Sequence, residues 1–255
     1  MRISKITLGL LLVSVSRVSL HAQTVSPDFQ ALVHVYPQFV DGIAGGTKSY
    51  VSTLQVSAAD FWATTRCTFG LLAMPSRRLA DVRGVVETGT VFNFALGPSG
   101  WQILQSTGDQ ALASGSAVLQ CDRLVTAHLI YSMKSGGTTV SEATVSAAPP
   151  GTMLQIVADQ RRGARLGFAI ANPFSVPAVY RVSIADVDGR LIYSDFFQLQ
   201  ARGSFARFVD EIAALPRGYL GLIVLESFSG MELYASALRF TGDTFTAIPE
   251  MVRVP

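Results

Sequence analysis

The chain consists mostly of short segments in which apolar and polar residues alternate. In residues 65–71, Cys67, Phe69 and Leu71 fall on one side of an extended chain, and residues 180–184 repeat the pattern. A side-chain period of two is that of a half-buried strand. Further strands are predicted at residues 32–36, 51–56, 92–96, 117–121, 125–133, 154–158, 166–171, 191–199, 220–226 and 233–240.

Turn signals separate these segments at short intervals, a rhythm that is typical of antiparallel sheets. The signals are Asp41-Gly42, Gly136-Gly137, Asn172-Pro173, Asp188-Gly189 and Gly242-Asp243.

One short helix is also predicted. Apolar residues recur at spacings of three and four from Phe205 to Ile212, ahead of Pro216. The counterpart of this segment in the first half is residues 101–112.

The second half of the chain repeats the first. Residues 94–121 align without a gap on residues 197–224, so that Phe94 falls on Phe197. A repeat of this length corresponds to one small domain rather than to a solenoid unit. We therefore predict an all-β protein of two tandem antiparallel β-sandwich domains of the immunoglobulin-like kind, each with at most one short helix.

The domain boundaries follow from local composition. Residues 1–22 have a basic start, an apolar stretch and a small-residue end, which is the layout of a secretory signal peptide. Two prolines at 149 and 150 disfavour continued strand pairing. We predict domains at residues 23–148 and 149–255 of a secreted or periplasmic protein. An uncleaved N-terminal anchor is the alternative, because Arg17 interrupts the apolar stretch.

Charge is sparse. Charged residues make up 15% of the chain and the formal net charge is +2, so there is no field to attract nucleic acid or acidic membranes. Arg161, Arg162 and Arg165 form a compact basic cluster, which we interpret as a solvated loop. No transmembrane segment is predicted after removal of the signal, because no later apolar run reaches about 20 residues.

The two cysteines predict a structural disulfide. Cys67 and Cys121 lie in predicted strands of one domain, and cysteines in an oxidising compartment usually pair. The internal alignment places Cys121 on Val224, and Cys67 on Val182 after a small length change, which suggests two buried, inward-facing positions. The pair is similar to the bridge between the sheets of immunoglobulin domains, although the tryptophan of that pattern is absent.

No catalytic, metal or cofactor site emerges from the residues. His34 and His128 stand outside any nucleophile signature and are too few for a zinc site. Paired carboxylates could cleave glycosidic bonds, but their spacing specifies no pair. The candidate carboxylates on predicted strands or turns of the second half include those of Asp186, Asp188, Asp195, Glu226 and Glu232. We therefore expect no cofactor, and no enzymatic activity.

Two aromatic residues are candidates for ligand contact. Trp62 lies in a loop where the two halves differ in length, and Tyr50 lies near the start of a predicted strand. Loop aromatics can stack on sugars, but they often fold back over the core instead. Both interpretations stay open for Trp62 and Tyr50.

Several segments resemble a known group of proteins. The sequences at residues 36–39, 167–173 and 246–249 are similar to those of paired β-sandwich modules in uncharacterised exported proteins of soil bacteria of the acidobacterial type. The resemblance implies the fold of nearly the whole mature chain and assigns no functional residue. The chain departs from the pattern at Ser57-Ala58, which stands at the place of Asn172-Pro173.

These observations favour an exported, non-enzymatic protein that acts as a binding, adhesion or envelope-associated structural module. Its partner would be a protein or a glycan at the cell envelope. A carbohydrate-binding module is the first alternative, and it requires an exposed aromatic platform with polar neighbours. A carboxylate-dependent glycoside hydrolase is the second, and it requires two acidic side chains facing one cleft.

Overall fold

The computed structural model describes residues 31–249 and 251–253, so the predicted signal peptide lies outside the described residues. This part of the chain is all-β and its strands pair antiparallel, which confirms the predicted class. No helix within it has the length and apolar character needed to cross a membrane. The strands are β1 Ala31–Gly45, β2 Lys48–Ala58, β3 Thr65–Leu72, β4 Arg77–Asp81, β5 Val86–Gly89, β6 Val91–Leu96, β7 Trp101–Ser106, β8 Ala113–Ser135, β9 Thr138–Ser146, β10 Met153–Asp159, β11 Arg165–Ala171, β12 Ala178–Asp186, β13 Leu191–Leu199, β14 Ser204–Phe208, β15 Leu220–Ser227, β16 Tyr234–Thr241, β17 Thr244–Ile248 and β18 Met251–Arg253.

The strands of the first half form one continuous sheet. Its order is β5-β4-β7-β2-β1-β8-β3-β6, and β9 pairs with β8. Strand β8 is 23 residues long: its first part pairs with β1 and β3, and its second part pairs with β2 and β9. The end strands β5 and β6 are separated by Thr90 alone, so the sheet is nearly barrel-shaped.

The strands of the second half form two sheets, with the orders β13-β12-β15-β10-β18 and β14-β11-β16-β17. Both sheets contribute side chains to one hydrophobic cluster. Tyr180 and Ile223 come from the first sheet, and Phe168 and Ala235 come from the second. Burial of these apolar side chains is the main favourable term that holds the layers together.

The order of strand pairing recurs in the two halves. Neighbouring strands of the first half follow the order β6-β3-β8-β1, and those of the second half follow the matching order β13-β12-β15-β10. A second series of pairings also matches, with β7-β2-β8-β9 in the first half and β14-β11-β16-β17 in the second. The halves differ because β8 runs without a break where β15 and β16 are separate strands. The prediction of two immunoglobulin-like sandwiches is therefore not confirmed, since one continuous sheet replaces the two sheets of a sandwich in the first half.

The gapless alignment of the two halves is wrong in register at β15. It places Leu119 on Leu222 and Cys121 on Val224, but Leu222 and Val224 are only half-buried. The core side of β15 carries Ile223 instead. Successive side chains of a strand point to opposite faces, so a slip by an odd number of residues exchanges the core face for the outer face.

Side chains of the second half also pack into the core of the first. Leu238 and Phe245 belong to the hydrophobic cluster of the first half. The backbone N–H of Phe245 donates to Ser141 Oγ of β9 at 2.9 Å. The predicted boundary at residues 148 and 149 falls in the strandless connection between β9 and β10 and stays a prediction.

The predicted helix from Phe205 to Ile212 is wrong, as is its counterpart at 101–112. Residues up to Phe208 form strand β14, and only Val209–Glu211 make a single 3-10 turn. Phe205 contacts the ring of Phe168 in the core, whereas Phe208 contacts Phe240 on the other face. These apolar residues therefore lie on two opposite faces of a strand and do not form one apolar stripe along a helix.

The predicted turn at Asp41-Gly42 is also wrong, because both residues lie inside β1. Gly42 has φ +116°, and a Cβ there would lie 2.6 Å from the carbonyl oxygen of Ala111. Glycine is therefore required for this close approach of two backbones. Asp41 is buried, with Arg77 Nη1 3.8 Å from its Oδ2.

The predicted disulfide is confirmed between Cys67 and Cys121. The two residues are directly paired on β3 and β8, so the bond joins neighbouring strands of one sheet. The comparison with an inter-sheet immunoglobulin bridge was therefore wrong. The bond fits a protein outside the cytoplasm.

Candidate functional site

Trp62 lies on an exposed loop and takes no part in the core. Its side chain is 92% exposed. The loop is held by Asp60, whose Oδ1 accepts the backbone N–H of Trp62 at 2.7 Å and whose Oδ2 accepts from Arg123 Nη1 at 2.8 Å. The indole therefore projects into solvent from a turn that Asp60 holds in place.

A second tryptophan, Trp101, lies at the same end of the first half. The loops that carry the two residues are joined by a backbone hydrogen bond from Ser99 N to the Asp60 carbonyl oxygen, at 3.1 Å. Trp101 starts β7 and is 60% exposed. Unlike Trp62, it borders a recess of about 390 Å³.

Strand alternation determines which side chains surround Trp101. On β2, Leu54 and Val56 point into the core, so Gln55 and Ser57 point outward. The register places Ser57 opposite Trp101 on β7 and opposite Thr126 on β8. We call this outward surface the Trp101 face; its residues are Gln55, Ser57, Trp101, Ile103, Thr126 and His128.

The polar groups of the Trp101 face are amide, hydroxyl and imidazole groups. No Asp, Glu, Lys or Arg is among the residues that line this recess. The polar surface continues along the strands, where Gln105 Nε2 donates to Thr53 Oγ1 at 2.9 Å. Amide and hydroxyl groups both donate and accept hydrogen bonds. The face can therefore contact a ligand that has hydroxyl groups on its edge and an apolar surface for the indole.

Tyr50 lines a different feature, a cleft of about 410 Å³ between the two halves. Six of its sixteen lining residues are aromatic, and it lies against the second half at Phe208, Phe240 and Phe245. The rings of Phe208 and Phe240 meet edge to face at 5.1 Å, and Phe240 contacts Phe245 at 5.4 Å. Aromatic clefts of this size commonly hold small ligands.

Several charged groups line the cleft or lie near it, and one of them, Arg207, donates from its Nη1 to the Ala206 carbonyl oxygen at 3.1 Å. Burial raises the pKa of Tyr50, which keeps the phenol protonated at neutral pH. Lys48 Nζ lies 2.7 Å from Asp243 Oδ1 and so links β2 to the β16–β17 turn across the two halves. Glu211 is the carboxylate among the lining residues, and Arg165 Nη2 lies 3.6 Å from its Oε1.

The two aromatic candidates from sequence are thus in different places, and neither lies on the Trp101 face. Sequence reasoning missed Trp101, which it had placed in a helix-like segment, and it had considered His128 only as a residue outside any nucleophile signature or zinc site. A usable signal was present: Gln55 and Ser57 on β2 and Thr126 on β8 are uncharged polar residues that alternate with core residues.

No group of three or more His, Cys, Asp or Glu residues in the described part of the chain is placed to hold a metal ion. The Asp186–Gly189 segment forms a turn, in which Asp186 Oδ1 accepts the N–H groups of Asp188 and Arg190.

Comparisons with known proteins do not add a function. No protein-family model matches the chain, and no curated protein or solved structure was found to be similar to it.

Proposed function

We propose that this protein is an exported, non-enzymatic binding module, and that the Trp101 face binds a neutral carbohydrate. The observation that carries the proposal is the placement of an exposed indole beside uncharged polar side chains on one sheet face. A sugar ring has an apolar C–H surface that packs on an aromatic ring, and its hydroxyl groups match amide and hydroxyl partners. Secretion or a periplasmic location is part of this proposal.

The fold supports a binding role. The side chains of the Trp101 face stand on strands β2, β7 and β8, which are paired along their length. Sites on paired strands are held more rigidly than sites on loops, so little conformational entropy is lost on binding. We further propose that the two halves are diverged copies of one sandwich, because their strands pair in the same order.

Glycoside hydrolysis has less support at either recess. It requires two carboxyl groups on opposite sides of one bond. The Trp101 face has none among its lining residues, and the cleft between the halves has Glu211 alone.

The test is binding to a panel of neutral polysaccharides by affinity gel electrophoresis, followed by calorimetry on any ligand found. Trp101→Ala should abolish retardation, and Gln55→Ala should weaken it. Trp62→Ala is the matched control, because it removes a second exposed indole, 92% exposed against 60% for Trp101, that lies outside the face. Loss of binding in Trp62→Ala with full binding in Trp101→Ala would contradict the site.

A second candidate function is binding of a small apolar molecule in the cleft between the halves. The specific observation is the aromatic lining of a 410 Å³ space. Enhanced fluorescence of an apolar dye, lost in Phe240→Ala and kept in Trp101→Ala, would favour this candidate over the carbohydrate site.

A further inference from the structure

The arginine cluster predicted as a solvated loop is rearranged by the fold. Arg165 leaves the cluster, because its Nε and Nη2 each lie 2.9 Å from a carboxylate oxygen of Asp210. Arg239 of β16 replaces it. Asp159, Arg161, Arg162 and Arg239 together line a recess of about 600 Å³ at the end of β10.

Arg239 is held in a fixed position. Its Nε donates to the Asp159 carbonyl oxygen at 2.9 Å, and its Nη2 donates to the Arg161 carbonyl oxygen at 3.2 Å. Its Nη1 lies 3.3 Å from Thr241 Oγ1. A guanidinium group has five N–H donors, so donors remain for a ligand after these three contacts.

The recess carries an excess of positive charge. Arg161 makes two side-chain hydrogen bonds to Asp159, both at 2.9 Å. These bonds lower the pKa of Asp159 to about 2, so the carboxylate stays ionised at neutral pH. Three guanidinium groups therefore face one carboxylate, and the charges of Arg162 and Arg239 are not balanced within the recess.

The backbone at Arg162 is strained. Arg162 has φ +61° and ψ +30°, and Gly163 follows with φ +74°. A non-glycine residue in the left-handed region is disfavoured, and such residues concentrate at binding and catalytic sites. A glycine at this position would relieve the strain, but it would remove the guanidinium from the recess.

We propose that this recess binds a tetrahedral oxyanion, the phosphate or sulfate group of a small ion or of an anionic polymer. The planar fork of arginine matches the oxygens of such groups and donates two parallel hydrogen bonds to them. Arg239 supplies a fixed donor, and Arg162 supplies a second positive charge among the lining residues. This site is separate from the Trp101 face and does not depend on it.

The experiment is calorimetric titration of the full chain with sulfate and with inorganic phosphate, at constant ionic strength set with chloride. Dextran sulfate and uncharged dextran form the second pair of ligands. Arg162→Gly should weaken oxyanion binding by about tenfold, the effect of losing a charge-assisted hydrogen bond. The variant should be at least as stable as the parent, because it removes the left-handed arginine.

Arg202→Gly is the matched control. Arg202 is also an exposed arginine with positive φ, +56°, and it lies outside the recess. It should keep binding within about twofold, since one distant surface charge is screened by salt. Binding of sulfate or phosphate alone identifies a small-ion site, and binding of dextran sulfate alone identifies a polymer site. Equal losses of oxyanion affinity in Arg162→Gly and Arg202→Gly would overturn the proposal. It would also be overturned if the chain bound neither sulfate nor phosphate and did not prefer dextran sulfate to uncharged dextran.

Discussion

Cys67 and Cys121 stand directly opposite each other on the neighbouring strands β3 and β8, so their disulfide fastens two strands of one sheet. The same strand order occurs in the second half, where β12 pairs with β15. Val182 and Leu225 are partners there, and both side chains are buried. One half thus has a covalent bond between these two strands, where the other has packed aliphatic side chains.

The first prediction concerns this bond. Replacing both cysteines, as Cys67→Val with Cys121→Val, should lower the free energy of unfolding by roughly 4 kcal/mol, because the denatured chain is no longer closed into a long loop. Urea unfolding measures the change. The parent protein under reducing conditions is the control and should lose a similar amount. An unchanged midpoint in the variant would show that the bond contributes nothing to stability.

The second prediction concerns the buried pair of Asp41 and Arg77. Both side chains are almost fully buried, and the N–H of Gly108 donates to Asp41 Oδ1 at 3.0 Å. Arg77→Met should cost about 3 to 5 kcal/mol at neutral pH, because it leaves a buried carboxylate without its cation. The double variant with Asp41→Asn should recover part of this loss.

The stability lost in Arg77→Met should depend on pH, and the direction follows from the pKa of Asp41. Burial raises the pKa of Asp41 above its ordinary value of 3.8. A carboxyl group with a raised pKa in the folded state contributes less stability as pH rises through that window. Removing Arg77 raises the pKa of Asp41 further, so the stability lost in Arg77→Met should become smaller as the pH falls. A loss of stability that stays constant from pH 7 down to the ordinary carboxyl pKa of 3.8 would contradict this account.

The third prediction concerns Asp159, whose pKa is lowered to about 2 chiefly by hydrogen bonds from the Arg161 side chain. A lowered folded-state pKa gives stability that is present above the ordinary value of 3.8 and is lost as pH falls toward 2. Asp159→Asn should therefore lower the melting temperature at neutral pH and have little effect near pH 2. Asp188→Asn, in an exposed turn, is the control and should not reproduce this pH dependence.

The fourth prediction concerns the edge strand β13, which pairs with β12 on one side and ends the five-stranded sheet. Asp195 protects this edge, because its Oδ1 accepts the backbone N–H of Phe196 at 2.8 Å. Charged side chains on an edge discourage pairing with another chain. Asp195→Val should therefore cause concentration-dependent self-association in sedimentation velocity, whereas Asp188→Val should not. A monomeric Asp195→Val would show that the edge is protected in another way.

Local patterns predicted most of the strands correctly because the alternation of side chains is a property of each segment by itself. Residues 65–71 and 180–184 are strands for this reason. The turns at Gly136-Gly137 and Gly242-Asp243 were also predicted, because their backbones need the left-handed region that glycine adopts readily. Asp41-Gly42 failed as a turn signal, since its glycine allows close contact with Gln110 and Ala111 in the connection between β7 and β8.

The candidate sites could not be predicted in the same way. Trp101 and Thr126 flank Ser57 on its two sides because both pair with it, and strand register is a long-range property. The recess lined by Asp159, Arg161, Arg162 and Arg239 likewise forms only when Arg239 reaches the turn at Arg161 from another sheet. Exposure of Trp62 and partial burial of Tyr50 depend on the same packing, which a linear pattern does not contain.

The sequence by itself determined that this chain forms antiparallel strands and that its two cysteines pair, because periodicity, turn residues and redox chemistry act locally or pairwise. The tertiary structure decided that β8 joins the strands of the first half into one sheet, and it decided which polar side chains surround Trp101 and Arg239. These outcomes depend on strand register and on which faces become buried. Both are determined only when the strands pair and pack in the complete fold.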